Sequence, residues 1–91
     1  MRDFIDNHPQ SMDSLNNWYR AVVSADWRNY HDIKRLFSNS VDAIGNDRFV
    51  FNVGGNNYRI IAMIFFDVRT VYIRFVGWHS EYDKLPDSSI V

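Results

Sequence analysis

Two apolar runs joined by the turn Val53-Gly54-Gly55-Asn56-Asn57 constrain the fold of this chain more than any other feature. From Arg48 to Val53 the side chains alternate with the period of two that is typical of a half-buried strand. After the turn, Tyr58 to Phe66 is nearly continuous in large apolar residues, which favours a central strand. Paired glycines and asparagines supply the positive φ angles of a tight turn. The sequence therefore predicts a β-hairpin here. A phosphate-binding loop is not predicted, because such a loop is followed by a helix and this turn is followed by a strand.

A third strand is predicted from Val71 to Val76, connected to the second strand by a two-residue loop at Val68-Arg69. This loop fixes a register, because each residue of one strand is then assigned a partner on the other. Directly opposed residues project from the same face of a sheet. We therefore expect one basic and aromatic face, on which the opposed pairs are Met63 with Arg74 and Arg59 with Trp78.

The sequence before the first strand predicts helices. Met1 to Asn7 is interpreted as the last part of a helix, which terminates at His8-Pro9. Ser11 to Ala25 predicts an amphipathic helix with Ser11 as its N-cap, and Tyr30 to Phe37 predicts a second, shorter helix. The polar segment 38–47 is interpreted as a connection into the first strand. The side chains expected to face the sheet are Leu15, Trp18, Tyr19, Val22 and Val23 from the longer helix, and Ile33, Leu36 and Phe37 from the shorter one.

Length and element order together predict the fold class. At 91 residues the chain has room for one modest core. We expect a single α+β domain over residues 1–91, in which N-terminal helices pack on a small, mainly antiparallel sheet of three to four strands.

Composition excludes several kinds of chemistry. The chain contains no cysteine, so disulfides, thiolate metal sites and cysteine nucleophiles are impossible. Its 3 histidines are scattered without the spacing of zinc ligands. Neither a serine nucleophile elbow nor a glycosidase pair of carboxylates is present. We expect no metal and no cofactor.

The N-terminal charges argue against a secretory signal, and no apolar run approaches the roughly 20 residues of a membrane span. We therefore expect a cytoplasmic protein that does not associate with membranes. The net charge of −1 and the pI of about 6.2 give no support for nucleic-acid binding from composition. Between Tyr58 and His79, however, Arg59, Arg69 and Arg74 are accompanied only by Asp67, which makes a local basic patch.

The residues that follow the third strand suit the cleavage of RNA without a metal. In this reaction the 2′-hydroxyl attacks the adjoining phosphate and the 5′-oxygen leaves. Histidine can transfer either proton, because its ordinary pKa lies near about 6.5. Arginine matches phosphate oxygens, and tyrosine can stack on a base. Taken on residues alone, a histidine near two arginines is still more often an ordinary surface residue.

Three stretches, ADWRNYHDIKRLF, DRFVFNVGGNNYRIIAMIFF and VYIRFVGWHSEYDK, closely resemble the HigB-type toxins of bacterial type II toxin–antitoxin systems, within the RelE superfamily of mRNA interferases. The resemblance extends over nearly the whole chain and implies a RelE-like fold. It also implies an endoribonuclease that cleaves mRNA on the ribosome and inhibits translation and growth. The implied partner is a HigA-like antitoxin with a helix-turn-helix domain, and operator DNA would be bound only through that antitoxin.

The matching motifs imply roles for individual residues. They are the F-N-x-G-G-N hairpin, the Tyr-Arg that opens the next strand, the Tyr-Ile-Arg strand, and the His-x-x-Tyr-Asp-Lys ending. The implied catalytic residues are His79 for proton transfer, Arg59 and Arg74 as cations for the phosphate and the transition state, and Tyr82 as a stacking or orienting group. The implied RNA-binding residues are Asn52, Asn56, Trp78 and Lys84.

Two departures from the family pattern leave other functions open. Relatives usually begin with a short strand before the first helix, whereas this chain starts within that helix, so either the sheet lacks this strand or the start of the chain is misassigned. Asn57 stands where relatives often have a basic residue. One alternative is a catalytically weakened or inactive relative that acts as a binding module for its antitoxin or for RNA. Another is that the aromatic sheet face is a protein interface.

Overall fold

The computed structural model describes all residues from Met1 to Val91 and consists of helices on a four-stranded antiparallel sheet. The strand order is β1-β2-β3-β4, which is a simple meander. The predicted α+β class is confirmed. No helix combines the length and the apolar character needed to cross a membrane. The elements are α1 (Arg2–Asn7), α2 (Met12–Ser24), α3 (Tyr30–Phe37), β1 (Val41–Gly45), β2 (Arg48–Val53), β3 (Tyr58–Phe65), β4 (Thr70–Trp78) and α4 (His79–Asp83), with short 3₁₀ turns at Pro9–Ser11, Ser38–Ser40 and Ser88–Ile90.

The core lies between the N-terminal helices and one face of the sheet, which we call the helix face. Leu15 and Trp18 of α2 and Ile33 of α3 are buried against it. The ring of Trp18 meets that of Phe51 edge-on, with centroids 5.3 Å apart. The alternation in β2 and β3 decides which residues point inward. The helix face carries Phe49, Phe51, Val53, Tyr58, Ile60, Ala62 and Ile64.

The helices lie where the sequence predicts them, but their apolar stripes are only partly covered. Tyr19 and Val23 of α2 and Leu36 of α3 are 50%, 60% and 54% exposed, so the prediction that they face the sheet is wrong. Tyr19 and Val23 each follow by one position a residue that packs on the core, Trp18 or Val22, and one position turns a side chain about 100° around the helix. Ser11 precedes α2 as predicted but does not cap it through its side chain, because its hydroxyl donates to the carbonyl of His8 at 2.7 Å.

The segment 38–47, predicted to be a connection, contains strand β1. Val41 is fully buried, and its carbonyl accepts hydrogen bonds from the Tyr30 hydroxyl at 3.4 Å and from Lys34 Nζ at 3.1 Å. The rest of the strand is largely exposed. An edge strand with a single fully buried side chain does not produce the alternation by which strands are recognised.

The register of β3 and β4 differs from the prediction. The connection is four residues, Phe66–Arg69, rather than two, and the register shifts by one residue between Ile61 and Ala62. This bulge inserts Arg74 between the partners of those two residues. As a result Arg59 lies opposite Gly77, and Trp78 lies opposite Tyr58 on the helix face. The predicted placement of Trp78 on the face of Arg59 is therefore wrong.

The other face of the sheet, which we call the outer face, is covered at one place. Val50 and Ile61 lie opposite each other there and are buried. The C-terminal segment 85–91 is attached to this face. Its hydrogen bonds join Asn46 Nδ2 to the Ser89 carbonyl at 3.1 Å, Tyr82 to the Ser88 hydroxyl at 3.4 Å, and two arginines to the Val91 oxygen.

Candidate active site

The turn between β2 and β3 holds the side chain of Arg59. Gly54 and Gly55 have φ angles of 64° and 71°, which reverse the direction of the chain. Both the backbone carbonyl and the side-chain carbonyl of Asn56 then face Arg59 of β3. Arg59 Nη1 donates to the Asn56 carbonyl at 3.1 Å and to the Tyr58 carbonyl at 3.2 Å, while Nη2 donates to Asn56 Oδ1 at 3.0 Å. A guanidinium has five N–H groups, so this arrangement fixes the fork and leaves N–H groups free for a ligand.

The same turn fixes the position of His79. His79 begins α4, and its amide donates to the carbonyl of Asn57 at 3.0 Å. Its imidazole is 54% exposed, with Nδ1 3.8 Å from Asp83 Oδ2 one helical turn later. That distance is too long for a hydrogen bond but allows an ion pair when the imidazole is protonated. Nε2 has no hydrogen-bond partner in the protein, so it is available to a substrate.

Arg59 and His79 are thus bonded to two consecutive residues of one turn, Asn56 and Asn57. Asn52 lies directly opposite Arg59 on β2 and is half-buried. The structure therefore brings together four of the residues implied by the resemblance: Asn52, Asn56, Arg59 and His79. Because their positions depend on backbone hydrogen bonds of a hairpin, the arrangement exists before any substrate binds.

Glu81 is a member of this site that the sequence analysis missed. Its Oε1 accepts a hydrogen bond from the backbone amide of Trp78 at 3.0 Å, which satisfies a donor at the start of α4. A side chain at Gly77 would place a Cβ 3.3 Å from this oxygen and 2.7 Å from Phe75 Cζ. Glu81 and Gly77 therefore determine where α4 starts, and with it the position of His79. The available signal was the glutamate three residues after Trp78, which is the spacing of a helix-start carboxylate.

Trp78 has different surroundings from those expected. Its ring packs against Tyr58, His8 and Phe4, with centroid distances of 5.0 Å, 5.5 Å and 6.4 Å. It is half-buried on the helix face, where it joins α1 to the end of the sheet. In this position the ring supports the start of α4 from the side opposite to Arg59.

The remaining predicted residues lie apart from the turn. Arg74 is exposed in the bulge of β4, three residues from Gly77, which is about 10 Å along a strand. Its Nε donates to the Val91 oxygen at 3.2 Å. Tyr82 is half-buried in α4 and contacts the hydroxyl of Ser88, and Lys84 is exposed directly after that helix. The structure does not bring Arg74, Tyr82 or Lys84 into contact with Arg59.

None of the predicted site residues lines the main depressions of the surface. The largest depression, about 500 Å³, lies near the β3–β4 connection and is lined by residues such as Arg28, Phe65 and Arg69. Pockets for small molecules are usually concave and enclosed. An exposed imidazole and guanidinium on an open surface instead suit a large substrate that brings its own structure. No group of three or more His, Cys, Asp or Glu side chains is placed to hold a metal ion.

Comparison with known proteins identifies the family of this chain. Residues 11–85 match the HigB toxin family, described as the RelE-like toxic component of a toxin-antitoxin system. The chain is 33% identical over 85 residues to the mRNA interferase toxin HigB of Escherichia coli K12, an alignment that covers 91% of this chain and 81% of that protein. The mRNA interferase HigB of Shigella flexneri has the same identity and coverage. The mRNA interferase HigB of Escherichia coli O6:H1 is 32% identical over 79 residues, covering 86% of this chain and 77% of that protein. With most of its length matched in this way, the chain belongs to the HigB family of RelE-like toxins.

Proposed function

We propose that this chain, as a single toxin domain, is a ribosome-associated mRNA interferase that inhibits translation and growth. The observation that carries the proposal is the attachment of Arg59 and His79 to adjacent peptides of one turn. This attachment supports a role for Arg59 as a phosphate-binding cation beside His79 as a proton-transfer group. Membership of a toxin family and the names of its relatives support the same activity.

The proposed reaction needs no metal ion. The 2′-oxygen of the RNA forms a bond to the adjoining phosphorus, the bond from phosphorus to the 5′-oxygen breaks, and a 2′,3′-cyclic phosphate results. One proton leaves the 2′-hydroxyl and one is added to the 5′-oxygen. Nε2 of His79 moves one of these protons, water exchanges the other, and the free N–H groups of Arg59 stabilise the additional negative charge on the phosphate oxygens. Because Arg59 is already held by the turn, little reorganisation is needed at the moment of reaction.

The other predicted residues are assigned supporting roles. Asn52 and Asn56 line the turn beside Arg59, where their amides can bind the sugar or a base edge. Arg74 and Lys84 contact phosphates on either side of the cut, and Tyr82 orients the strand between them. Trp78 acts through packing, by holding the start of α4 and therefore His79.

As the toxic component of a toxin–antitoxin system, the chain has an antitoxin partner. We propose that this partner is HigA-like, with a helix-turn-helix domain, and that operator DNA is reached only through it. The proposed substrate, mRNA on translating ribosomes, places the activity in the cytoplasm.

The proposal is tested by inducing the chain in bacteria and mapping new mRNA 5′ ends by primer extension. We expect wild type to arrest growth and to produce new ends within translated regions. His79→Ala should reduce both effects by about 10²–10⁴-fold in rate, the usual contribution of a positioned acid or base. The matched control is His31→Ala, because His31 is also exposed but lies on α3. A wild-type chain that binds its antitoxin but gives no new ends would instead identify a binding module.

A further inference from the structure

Two arginines from different strands converge on one oxygen atom of the outer face. Arg48 donates to the backbone oxygen of Val91 from Nε at 3.2 Å and from Nη2 at 3.0 Å. Arg74 donates to the same atom from Nε at 3.2 Å. Three N–H groups of two guanidiniums thus surround a single acceptor. Nothing in the proposed reaction accounts for Arg48.

The strand geometry explains why these side chains meet. Arg48 shares the outer face with Val50 and Asn52, because alternate residues of β2 point the same way. Arg74 is the additional residue of the β4 bulge, and bulges redirect side chains. The strand β3 lies between them, so the Val91 oxygen sits above the middle of the sheet. The bulge therefore turns Arg74 towards Arg48.

The charges of these two arginines are not neutralised by acidic side chains. The ion pairs of the protein are Arg35 with Asp32, Arg69 with Asp26, and His79 with Asp83. Arg48 makes one further hydrogen bond, from Nη1 to the Asn46 carbonyl at 2.9 Å. A phosphodiester offers two anionic oxygens in the planar geometry that guanidinium forks match, so it is a suitable ligand for this pair of arginines.

The segment that occupies this position is held by few contacts. Asn46 Nδ2 bonds to the Ser89 carbonyl, and the Tyr82 hydroxyl contacts Ser88. Asp87 accepts from the amide and the hydroxyl of Ser89, and these bonds hold the pKa of Asp87 below its ordinary value of 3.8. Apart from the two arginines, these are hydrogen bonds between exposed or half-buried groups, each worth about 0.5–1.5 kcal/mol. Displacement also exposes more of the outer face, where Val50 and Ile61 are buried, so an RNA phosphate has to bind both arginines to displace the segment.

We propose that Arg48 and Arg74 form a phosphate-binding site for the RNA backbone, which the chain's own segment 85–91 occupies in this structure. The inference rests on the proposed function for the identity of the ligand. The Val91 oxygen stands where a phosphate oxygen would bind. Release of the segment extends the RNA-binding surface from the turn of Arg59, along the outer face, to β2. The segment and RNA then compete for the same pair of cations.

The test measures binding and not cleavage. The probe is a fluorescently labelled single-stranded RNA 12-mer, with affinity measured by anisotropy over a range of salt concentrations. The first variant lacks residues 88–91, which carry no charged side chain. We expect this deletion to tighten RNA binding and to steepen the slope of log K against log salt by about 0.7 for each phosphate gained. Since a deletion can unfold the chain, Asn46→Gly provides a second variant that removes one attachment of the segment and suits the positive φ of 52° at that position.

A double-mutant comparison identifies the role of Arg48. In the intact chain Arg48→Ala should lower the affinity less than it does in the shortened chain, because the substitution also removes two of the hydrogen bonds that hold the segment over Arg74. In the shortened chain the same substitution should remove most of the gained affinity. Arg20→Ala is the matched control, since Arg20 is exposed on α2 and bonds only to Asn17 of its own helix. It should reduce affinity equally in both backgrounds.

Two results would overturn the inference. One is a folded deletion variant, and a folded Asn46→Gly variant, that bind the 12-mer no more tightly than wild type. The other is an effect of Arg48→Ala that is the same in the intact and shortened chains. Failure of the proposed function would be recognised separately, because it is measured by mRNA cleavage. The dependence of the Arg48→Ala effect on segment 88–91 is measured by RNA binding alone.

Discussion

At the scale of single residues, the proposed reaction requires the guanidinium of Arg59 to be oriented before the substrate binds. Its guanidinium makes three hydrogen bonds to Tyr58 and Asn56, so its orientation is set by the protein. A lysine ammonium is a point charge on a flexible stem and cannot reproduce this hold. The fixed fork, and not the charge alone, is what we expect to favour the transition state.

Arg59→Lys tests this distinction. We expect Arg59→Ala to lower the rate of mRNA cleavage by about 10²–10³-fold, and Arg59→Lys to restore only a small part of that loss. Arg20→Lys, on the exposed side of α2, is the control and should cleave at the wild-type rate. Cleavage is measured as the rate at which full-length message disappears in a translation reaction. Full activity in the lysine variant would mean that charge alone is sufficient.

Trp78 provides a second prediction at this scale. Its ring packs on Phe4, His8 and Tyr58, so Trp78→Ala should lower the free energy of unfolding by about 2 kcal/mol, somewhat less than the 3–5 kcal/mol typical of a fully buried tryptophan. Trp78→Phe keeps an aromatic contact and should lose less than about 1 kcal/mol. Urea unfolding measures both. An unchanged stability together with weakened RNA binding would restore the RNA-binding role that the resemblance implies for Trp78.

The sequence could indicate the identity of these residues but not their directions. The family motifs name His79, Arg59 and Asn56, and in the structure Arg59 of β3 and His79 of α4 are both hydrogen-bonded to the turn that contains Asn56. The side of the sheet on which Trp78 lies depends on a one-residue shift in register. Because side chains alternate along a strand, such a shift moves a residue to the opposite face. The residue composition of β4 does not predict the bulge at Arg74.

At the scale of elements, the β2–β3 turn is the part that organises the site. The glycine pair, the following asparagines and the flanking apolar strands are local features, so the hairpin was predictable from sequence. Strand β1 was not, because only Val41 of its five residues is buried and the others give no alternation. The formation of an edge strand depends more on pairing with its neighbouring strand, as in the pair of Val41 with Phe51, than on its own hydrophobic alternation.

The two glycines of the turn should differ in their tolerance of a side chain. Both have positive φ, where alanine costs about 1–2 kcal/mol. At Gly54 a Cβ would also lie 2.8 Å from the ring of Tyr58, whereas at Gly55 it meets nothing within 4 Å. We expect Gly55→Ala to cost about 1 kcal/mol in unfolding free energy and Gly54→Ala about 2–4 kcal/mol, since overpacking adds to the strain. Equal losses in urea unfolding would contradict the contact with Tyr58.

At the scale of the whole molecule, a chain of net charge −1 is proposed to bind a polyanion. The structure offers a physical reason why this is feasible. Arg48, Arg59 and Arg74 concentrate positive charge on the outer face, while Arg69 and Arg35 are paired with aspartates elsewhere. Binding to RNA depends on the local charges that meet phosphates, and it weakens steeply with salt.

The most direct test of the central claim is the chemistry of the ends that this chain leaves on mRNA. Purified chain is added to translating ribosomes, and the fragments are analysed for their terminal groups. Attack by the 2′-hydroxyl predicts a 2′,3′-cyclic phosphate on the upstream fragment and a 5′-hydroxyl on the downstream one, both absent with His79→Ala and present with His31→Ala. Fragments that carry a 5′-phosphate, or messages that stay intact at an excess of folded wild-type chain, would contradict the account.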